Sequence, residues 1–436
     1  MVFDEGFNYR CLKRLAAGLL AAALGLGLAS PNATAQTCGE KEVCPGIVLS
    51  AANLDRLEDA RLEGHRIGDV LTERVRWQIE KFATSLRLVH KTPIALDPRH
   101  VAATENYAGR ARLDDATKRV EGWVAGDPFP DIDPGDPDAG YKIIWNLTYG
   151  RSRGYDHDHP GISFLLVDAE SGLERFQTWA LRRLFMKGRI AGPPVIGDGD
   201  TLEKTLLYAQ TPQDIKGLGS FSIRYDTGRL DDSWAYVREV RRTRRLSGGA
   251  WMNPIGSTDE LQDDFGNFNA YPTWYDGYKL LGRRDLLVVA HAQAITPPEG
   301  EDDPARRFPN LELDAWPHWN TLDNWEVRPV YVIDATPPSE HPYSKRVLYV
   351  DAESWFPYMA EAYDHAGEFH KWMIRAFRSW TTEDHPDGVA VWPEWGNTID
   401  FQRMHATVFR ASPDWRYNVG LAPDDVSLAV LEAEGR

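Results

Sequence analysis

The residues with the most obvious chemical potential are Asp156-His157-Asp158-His159-Pro160. Two histidines two positions apart face the same way on an extended backbone, and imidazoles so placed ligate zinc or another divalent ion when a third ligand arrives from elsewhere. No His-Glu-x-x-His or paired-cysteine motif accompanies them, and a polar loop between a helix and a strand ordinarily carries such residues for solubility. No metal site is therefore expected. Gly-x-Ser-x-Gly, phosphate-binding glycine-rich and dinucleotide signatures are also missing from the sequence. Paired carboxylates abound, as they do by chance in an acidic chain. The expectation is a protein that catalyses no reaction and carries no cofactor; a metal-dependent enzyme using Asp156 to His159 is the alternative.

A second chemical feature is the run Arg241-Arg242-Thr243-Arg244-Arg245. On a strand Arg242 and Arg244 share one face while Arg241 and Arg245 share the other, so they cannot all be buried. One reading is a solvated strand end, charge-balanced by Asp259, Glu260, Asp263 and Asp264. The other places Arg242 and Arg244 at the mouth of a cavity, where a guanidinium holds an anionic headgroup or carboxylate. Ser257-Thr-Asp-Glu260 fits a capping box, which predicts a short helix beside that strand.

The N-terminus sets the compartment. Arg10, Lys13 and Arg14 precede an apolar run from Leu15 to Leu28, and Ala33-Thr34-Ala35 supplies the small residues that signal peptidase requires. This predicts a Sec-type signal peptide over 1–35, cut after Ala35, and a mature chain in the periplasm. The apolar run is shorter than the ~20 residues of a membrane anchor, and no lipobox precedes Cys38. Cleavage removes three positive and two negative charges from a chain of net charge −16, leaving −17. So acidic a chain disfavours nucleic acid and anionic lipid surfaces as broad partners. Cys38 and Cys44 remain, and in an oxidising compartment two such close cysteines are expected to pair.

These features must be positioned by a fold, and the mature chain, 36–436, reads as one domain. In its N-terminal part, about 47–150, Leu71, Val75, Ile79, Phe82 and Leu86 recur at helical spacing. A Pro-, Gly- and Asp-rich loop from Gly126 to Pro137 then opens into a short helix near Ala139 to Tyr149. From about 161 to 410 the pattern is strand, tight turn, strand, with turn chemistry at Asp168 to Gly172, Asp226-Thr-Gly228, Asp351 to Ser354 and Asp364 to Gly367. Trp234 to Leu246 reads as one such strand. Successive hairpins build antiparallel meanders, which predicts an α+β fold with a large antiparallel sheet.

The chain holds 16 Trp, 17 Tyr and 16 Phe. Such rings either fill the hollow of a curved sheet or line a cavity left open for an apolar guest. Topology bears on this choice, and here a resemblance enters. Trp234 to Ser247, Asp263-Asp-Phe265 and Trp274-Tyr-Asp-Gly-Tyr-Lys-Leu-Leu-Gly282 resemble the outer-membrane lipoprotein-sorting (LolA/LolB-like) superfamily, more narrowly a large proteobacterial branch of exported proteins. Gly126-Asp-Pro-Phe-Pro130, Gly140 to Asn146, and Tyr343 to Asp351 followed by Pro357 match that branch in order. The resemblance implies a half-barrel of about eleven strands with helices plugging its concave face. It further implies a hydrophobic cavity and transport of lipid-like or other hydrophobic molecules across the periplasm, in association with a resistance-nodulation-division type exporter and an outer-membrane protein. At about 400 residues the chain is roughly twice the size of the small lipoprotein carriers, so its cargo need not be a lipoprotein. Candidate cavity residues are Trp145, Trp234, Tyr236, Trp274, Tyr278, Trp355 and Trp372. A third possibility is a scaffold that turns its aromatics outward to dock a membrane partner.

Overall fold

The computed structural model describes residues 37–435 except 40, 151–153, 238–240, 302 and 383–384. The expected signal peptide over 1–35 lies outside the described residues. Residues 36–436 form one compact unit. Cys38 and Cys44 are joined in a disulfide, as expected, which closes a short loop at the start of that unit.

The fold is α+β, built on one open, curved, largely antiparallel sheet of 16 strands. Six strands run out from its middle: β1 (Asp156–Asp168), β2 (Gly172–Phe185), β3 (Thr201–Thr211), β4 (Gly219–Tyr225), β5 (Asp232–Val237) and β6 (Arg242–Arg245) at one edge. The chain then crosses to the far side of the sheet. From there β7 (Gly277–Val288), β8 (Asn324–Thr336), β9 (Lys345–Asp351), β10 (Pro357–Tyr363), β11 (Phe369–Thr382), β12 (His385–Asp400) and β13 (His405–Arg410) return toward the middle. The return ends with β13 pairing β1. Two meanders thus meet at β1 and β13, and the crossing between them, residues 246–276, lies over one face of the sheet. We call that face inner and the crossing segment the plug.

Local chemistry makes these hairpins. Asp168 accepts backbone N–H bonds from Glu170 and Ser171, and Asp364 from Ala366 and Glu368, so each aspartate closes its own turn. Register shifts at Trp179/Leu181 and at Ala376/Phe377 place bulges in the long strands, which bend the sheet around the plug. The predicted strand from Trp234 to Leu246 is instead the pair β5 and β6. Arg241 takes a left-handed φ of 50° and turns the chain back, a local reversal that alternation of side chains does not reveal.

The predicted helix at Leu71 to Leu86 is α1 (Glu73–Phe82), capped by the Thr72 hydroxyl on the Val75 N–H. It stops at Ala83, which is left-handed with φ of 54°, so Leu86 belongs to a short strand and not to the helix. Its apolar stripe covers the outer face of β10 to β12. The predicted helix α2 (Ala139–Tyr149) packs instead on the inner face. Gly140 permits this, since a Cβ there would lie 2.3 Å from the Tyr278 carbonyl oxygen. A C-terminal helix, α3 (Leu428–Glu434), covers the outer face of β3 to β5 through Leu431. The inner face is thus filled by one helix and a plug made largely of 3₁₀ turns. No helix among the described residues is long and apolar enough to cross a membrane.

Candidate functional site

The plug is fastened over β9 to β13 by charge. Side chains alternate along β11, so Lys371 and Arg375 face the plug while Trp372 and Ile374 face away toward α1. Arg375 donates to Glu260 at 2.6 Å, and the Thr398 hydroxyl donates to the same carboxylate oxygen at 3.0 Å. The Lys371 ammonium donates to the Asp259 carbonyl at 2.6 Å. The Asp259 carboxylate is held by the His405 ring nitrogen at 2.7 Å and by the Thr407 hydroxyl at 2.8 Å. Arg346 on β9 donates to Asp263 at 2.8 Å and stands 3.3 Å from Asp264, while its second terminal nitrogen donates to the Asn267 carbonyl. Tyr275 and Tyr343 add hydroxyl bonds to Asp263 and Asp264 at 2.6 and 2.7 Å.

Burial alone would raise the Asp263 carboxyl, but Arg346, then His341, outweigh it and hold it below the ordinary carboxylate range. Glu260 goes the other way: burial pushes it up, against the pull of Arg375. For His405 the hydrogen bond to Asp259 dominates and raises the imidazole.

This corrects the expectation that Asp259, Glu260, Asp263 and Asp264 answer the Arg241 to Arg245 run at a solvated strand end. All four acids are buried and answer cations of the sheet. Nor does Ser257 to Glu260 open a helix: 257–260 is a turn, and the first 3₁₀ turn after it is Gln262–Asn267. The acids are drawn inward because Arg346, Lys371 and Arg375, each set singly among apolar strand residues, need counter-charges that only the plug can bring.

Over β2 to β5 the plug stands away from the sheet and leaves a cavity of about 230 Å³. Its walls are Trp179 and Leu181 of β2, Leu207 of β3, and Trp251, Ile255 and Phe265 of the plug. Behind Phe265 lies a smaller, largely apolar recess of about 30 Å³, bounded by Phe356, Phe377, Val391, Trp392 and Phe409. Arg183 borders both spaces. At the other end the cavity approaches a surface hollow that includes Arg229, Leu230, Arg245 and Leu246. Leu230 and Leu246 are 46% and 36% exposed there.

Four charged side chains line this cavity in two unequal pairs. Arg224 forks onto Asp231, donating through Nη2 at 2.9 Å and Nε at 3.3 Å, and stacks over Trp274. Burial raises the Asp231 carboxyl, with Arg224 opposing the rise. Among the described residues Arg183 hydrogen-bonds through its Nε alone, which donates to the Thr205 hydroxyl at 3.2 Å. Glu203 stands 3.8 Å from it, beyond hydrogen-bonding distance. Burial lowers the Arg183 pKa, and the counter-charge of Glu203 does not make up the difference.

None of the seven aromatic candidates borders this cavity. Trp145, Trp274, Tyr278 and Trp355 belong to the solid core around α2. Tyr236 and Trp234 face outward, packed beneath α3. Trp372 lies on the outer face, in a small pocket shared with Val75 of α1. The rings that do border it, Trp179, Trp251 and Phe265, come from β2 and the plug. Arg242 and Arg244 lie opposite Val237 and Ala235, so they share a face, as their spacing implied, and that face is the inner one. Both are exposed and stand outside the cavity lining, whereas Arg245 of the same run joins the surface hollow and pairs with Asp232. Arg183 went unnoticed in the sequence, although Trp179, Leu181, Arg183 and Phe185 give the signal: a cation taking an apolar position in an alternating strand.

His157 and His159 do face the same way, with ring centroids 6.0 Å apart, and stack against Trp415 at 5.6 and 5.0 Å. Burial, then the neighbouring charge of Arg183, pushes the His159 pKa well down, so its ring is neutral. Among the described residues no group of three or more metal-ligating side chains comes together.

The chain is 29% identical to an uncharacterized protein of Pseudomonas aeruginosa over 140 residues, a match covering 31% of this chain and 29% of that relative's length. Among solved structures it is similar to a DUF1329 family protein from Desulfovibrio piger, with 18% identity and a TM-score of 0.46 over 68% of this chain and 99% of that one. It is also similar to a LolA superfamily protein from Nitrosomonas europaea, with 14% identity and a TM-score of 0.36 over 64% of this chain and 92% of that one. The family model described as "Protein of unknown function (DUF1329)" matches residues 48–424, nearly the whole of the described unit, and the chain therefore belongs to the DUF1329 family.

Proposed function

We propose that this protein binds hydrophobic small molecules or single lipid chains beneath its plug and carries them across the periplasm without chemical change. The observation that carries this reading is the cavity between β2 to β5 and the plug, whose apolar wall is formed by Trp179, Leu181, Leu207, Trp251, Ile255 and Phe265 beside two pairs of charged residues. Its volume of about 230 Å³ falls just below the roughly 300–1,000 Å³ usual for drug-sized ligands, which suits one chain and not a two-chain lipid. Burial of apolar surface at roughly 25 cal/mol per Å² supplies affinity without many polar contacts. The proposal includes export through the signal at 1–35 and hand-over between a resistance-nodulation-division type exporter and an outer-membrane protein. The exposed Leu230 and Leu246 mark the surface at which a ligand enters.

The test is titration of the purified protein with the uncharged probe N-phenyl-1-naphthylamine. Saturable probe fluorescence, with quenching of Trp emission and loss of both signals in Leu207→Trp, supports the reading. Absence of saturable binding contradicts it and favours a scaffold whose interior is filled by its own side chains.

A further inference from the structure

We infer that the cavity takes an anionic amphiphile, a single alkyl chain ending in a carboxylate or phosphate monoester, and that Arg183 holds its oxyanion head. This rests on the ligand-binding reading above and names the class of ligand. The Arg183 side chain is only 5% exposed, yet among the described residues its hydrogen bonding stops at the Nε–Thr205 contact. Both terminal nitrogens of the fork are left with donors to spare at the boundary between the cavity and the apolar recess. A guanidinium taken out of water with so little in return costs several kcal/mol, and such a group is retained where something else completes it.

Among the described residues the internal partners leave the terminal nitrogens of Arg183 unbonded, although Glu203 forms an ion pair with its Nε at 3.8 Å. Asp231 is occupied by the fork of Arg224, and Glu203 stays 3.8 Å away. His157, directly across from Arg183 on β1, and His159 are neighbours on the inner face, and burial together with the Arg183 charge keeps His159 neutral. An oxyanion presents two oxygens in the geometry the fork requires, and it gains charge-assisted bonds in a site shielded from water. The larger space offers an alkyl chain the apolar wall of Trp179, Leu181, Leu207, Trp251 and Ile255, and the recess of about 30 Å³ beyond Arg183, bounded by Phe356, Phe377, Val391 and Phe409, has room for no more than the end of a chain. Arginine suits the task better than lysine, because its planar fork fixes the head's orientation as well as its charge.

The experiment displaces N-phenyl-1-naphthylamine from the full mature chain with decanoate, decyl phosphate and 1-decanol, three ligands that share a tail. In the natural protein decanoate or decyl phosphate should bind at least tenfold more tightly than decanol, and whichever ranks first identifies the head as carboxylate or phosphate. In Arg183→Met/Glu203→Gln that preference should fall below twofold, with far-UV circular dichroism and a cooperative urea transition showing that the variant is folded. Arg183→Lys should retain part of the preference. Equal binding of charged and neutral ligands by the natural protein, or a preference that survives in Arg183→Met/Glu203→Gln, overturns the inference and leaves the cavity reading standing. If neither the probe nor any of the three binds, the cavity reading itself fails and takes this inference with it.

Discussion

The two halves of the inner face solve the same electrostatic problem differently. Over β9 to β13, Arg346, Arg375, Lys371 and His405 point at the plug, and the plug returns Asp263, Asp264, Glu260 and Asp259 within hydrogen-bonding reach of them. Over β2 and β3, Arg183 points at the plug in the same manner and faces Phe265 and open space, with its ring contact at 5.7 Å. One plug segment thus acts as staple at one end and as roof at the other. The difference lies in the terminal nitrogens: those of Arg346 and Arg375 reach plug carboxylates, whereas those of Arg183 open on a cavity, where a ligand can meet them.

The largest effect should come from breaking a completed pair. Arg346→Met leaves Asp263 and Asp264 buried without their cation, and removing one partner of such a pair costs about 3–5 kcal/mol. Urea unfolding should show that loss, and a change under 1 kcal/mol would mean that the staple does not hold the plug. By contrast, the double variant Arg183→Met/Glu203→Gln removes a cation and the acid that faces it at 3.8 Å without a hydrogen bond. Its unliganded stability should change by less than about 1 kcal/mol, because both charges leave together and no buried ion is stranded. A loss as large as that of Arg346→Met would erase the distinction between the halves.

Acid separates the halves next. Asp263 has a folded pKa below its ordinary value of 3.8, so its contribution is complete above that pH and is lost as pH falls through the folded value. Glu260, raised by burial, acts in the opposite sense, so the Asp263 share is isolated by comparison with Asp263→Asn. Stability measured from pH 5 to 2 should fall more steeply in the natural chain than in that variant; parallel curves would remove Asp263 from the staple.

At the rim the expected effects are small. Arg242 and Arg244 are exposed, so Arg242→Ala/Arg244→Ala should weaken decanoate by less than about threefold, the scale of a screened surface charge. Raising salt to 0.5 M should abolish even that difference; a larger, salt-resistant loss would move the headgroup site from Arg183 to the edge strand. His405 should contribute least. Raised by Asp259, it stabilises the fold fully below its unfolded pKa of about 6.5, and that contribution fades as pH rises through the folded value. Melting temperature should therefore decline slightly more between pH 6 and 9 in the natural chain than in His405→Gln.

Much of the architecture was legible in the sequence because it is written in local patterns. The Asp168 and Asp364 turns, the stripe of Val75, Ile79 and Phe82, and the α2 segment each depend on neighbours in the chain. The site was not legible, because it depends on which strands the plug crosses. Trp355 belongs to the core and Trp179 to the cavity wall because of what lies over each, while Trp251 and Trp274 sit in the plug itself and only Trp251 reaches the cavity. Asp259 to Asp264 read as surface acids because their partners Arg346 and Arg375 are about 80 and 115 residues away. The parity of Arg242 and Arg244 was correct, but parity fixes a face and not a depth. The alternation Trp179, Leu181, Arg183 was available throughout, and a lone cation on a buried strand face is the pattern most worth seeking in related sequences.

The most direct measurement is a crystal structure of the protein with 10-bromodecanoate, using the anomalous signal of bromine to place the tail. The account predicts the carboxylate on the terminal nitrogens of Arg183 and the bromine within the apolar walls formed by Trp251 and Ile255 or by Phe377 and Phe409. Bromine at the surface, or a carboxylate that pairs with any cation other than Arg183, would contradict it.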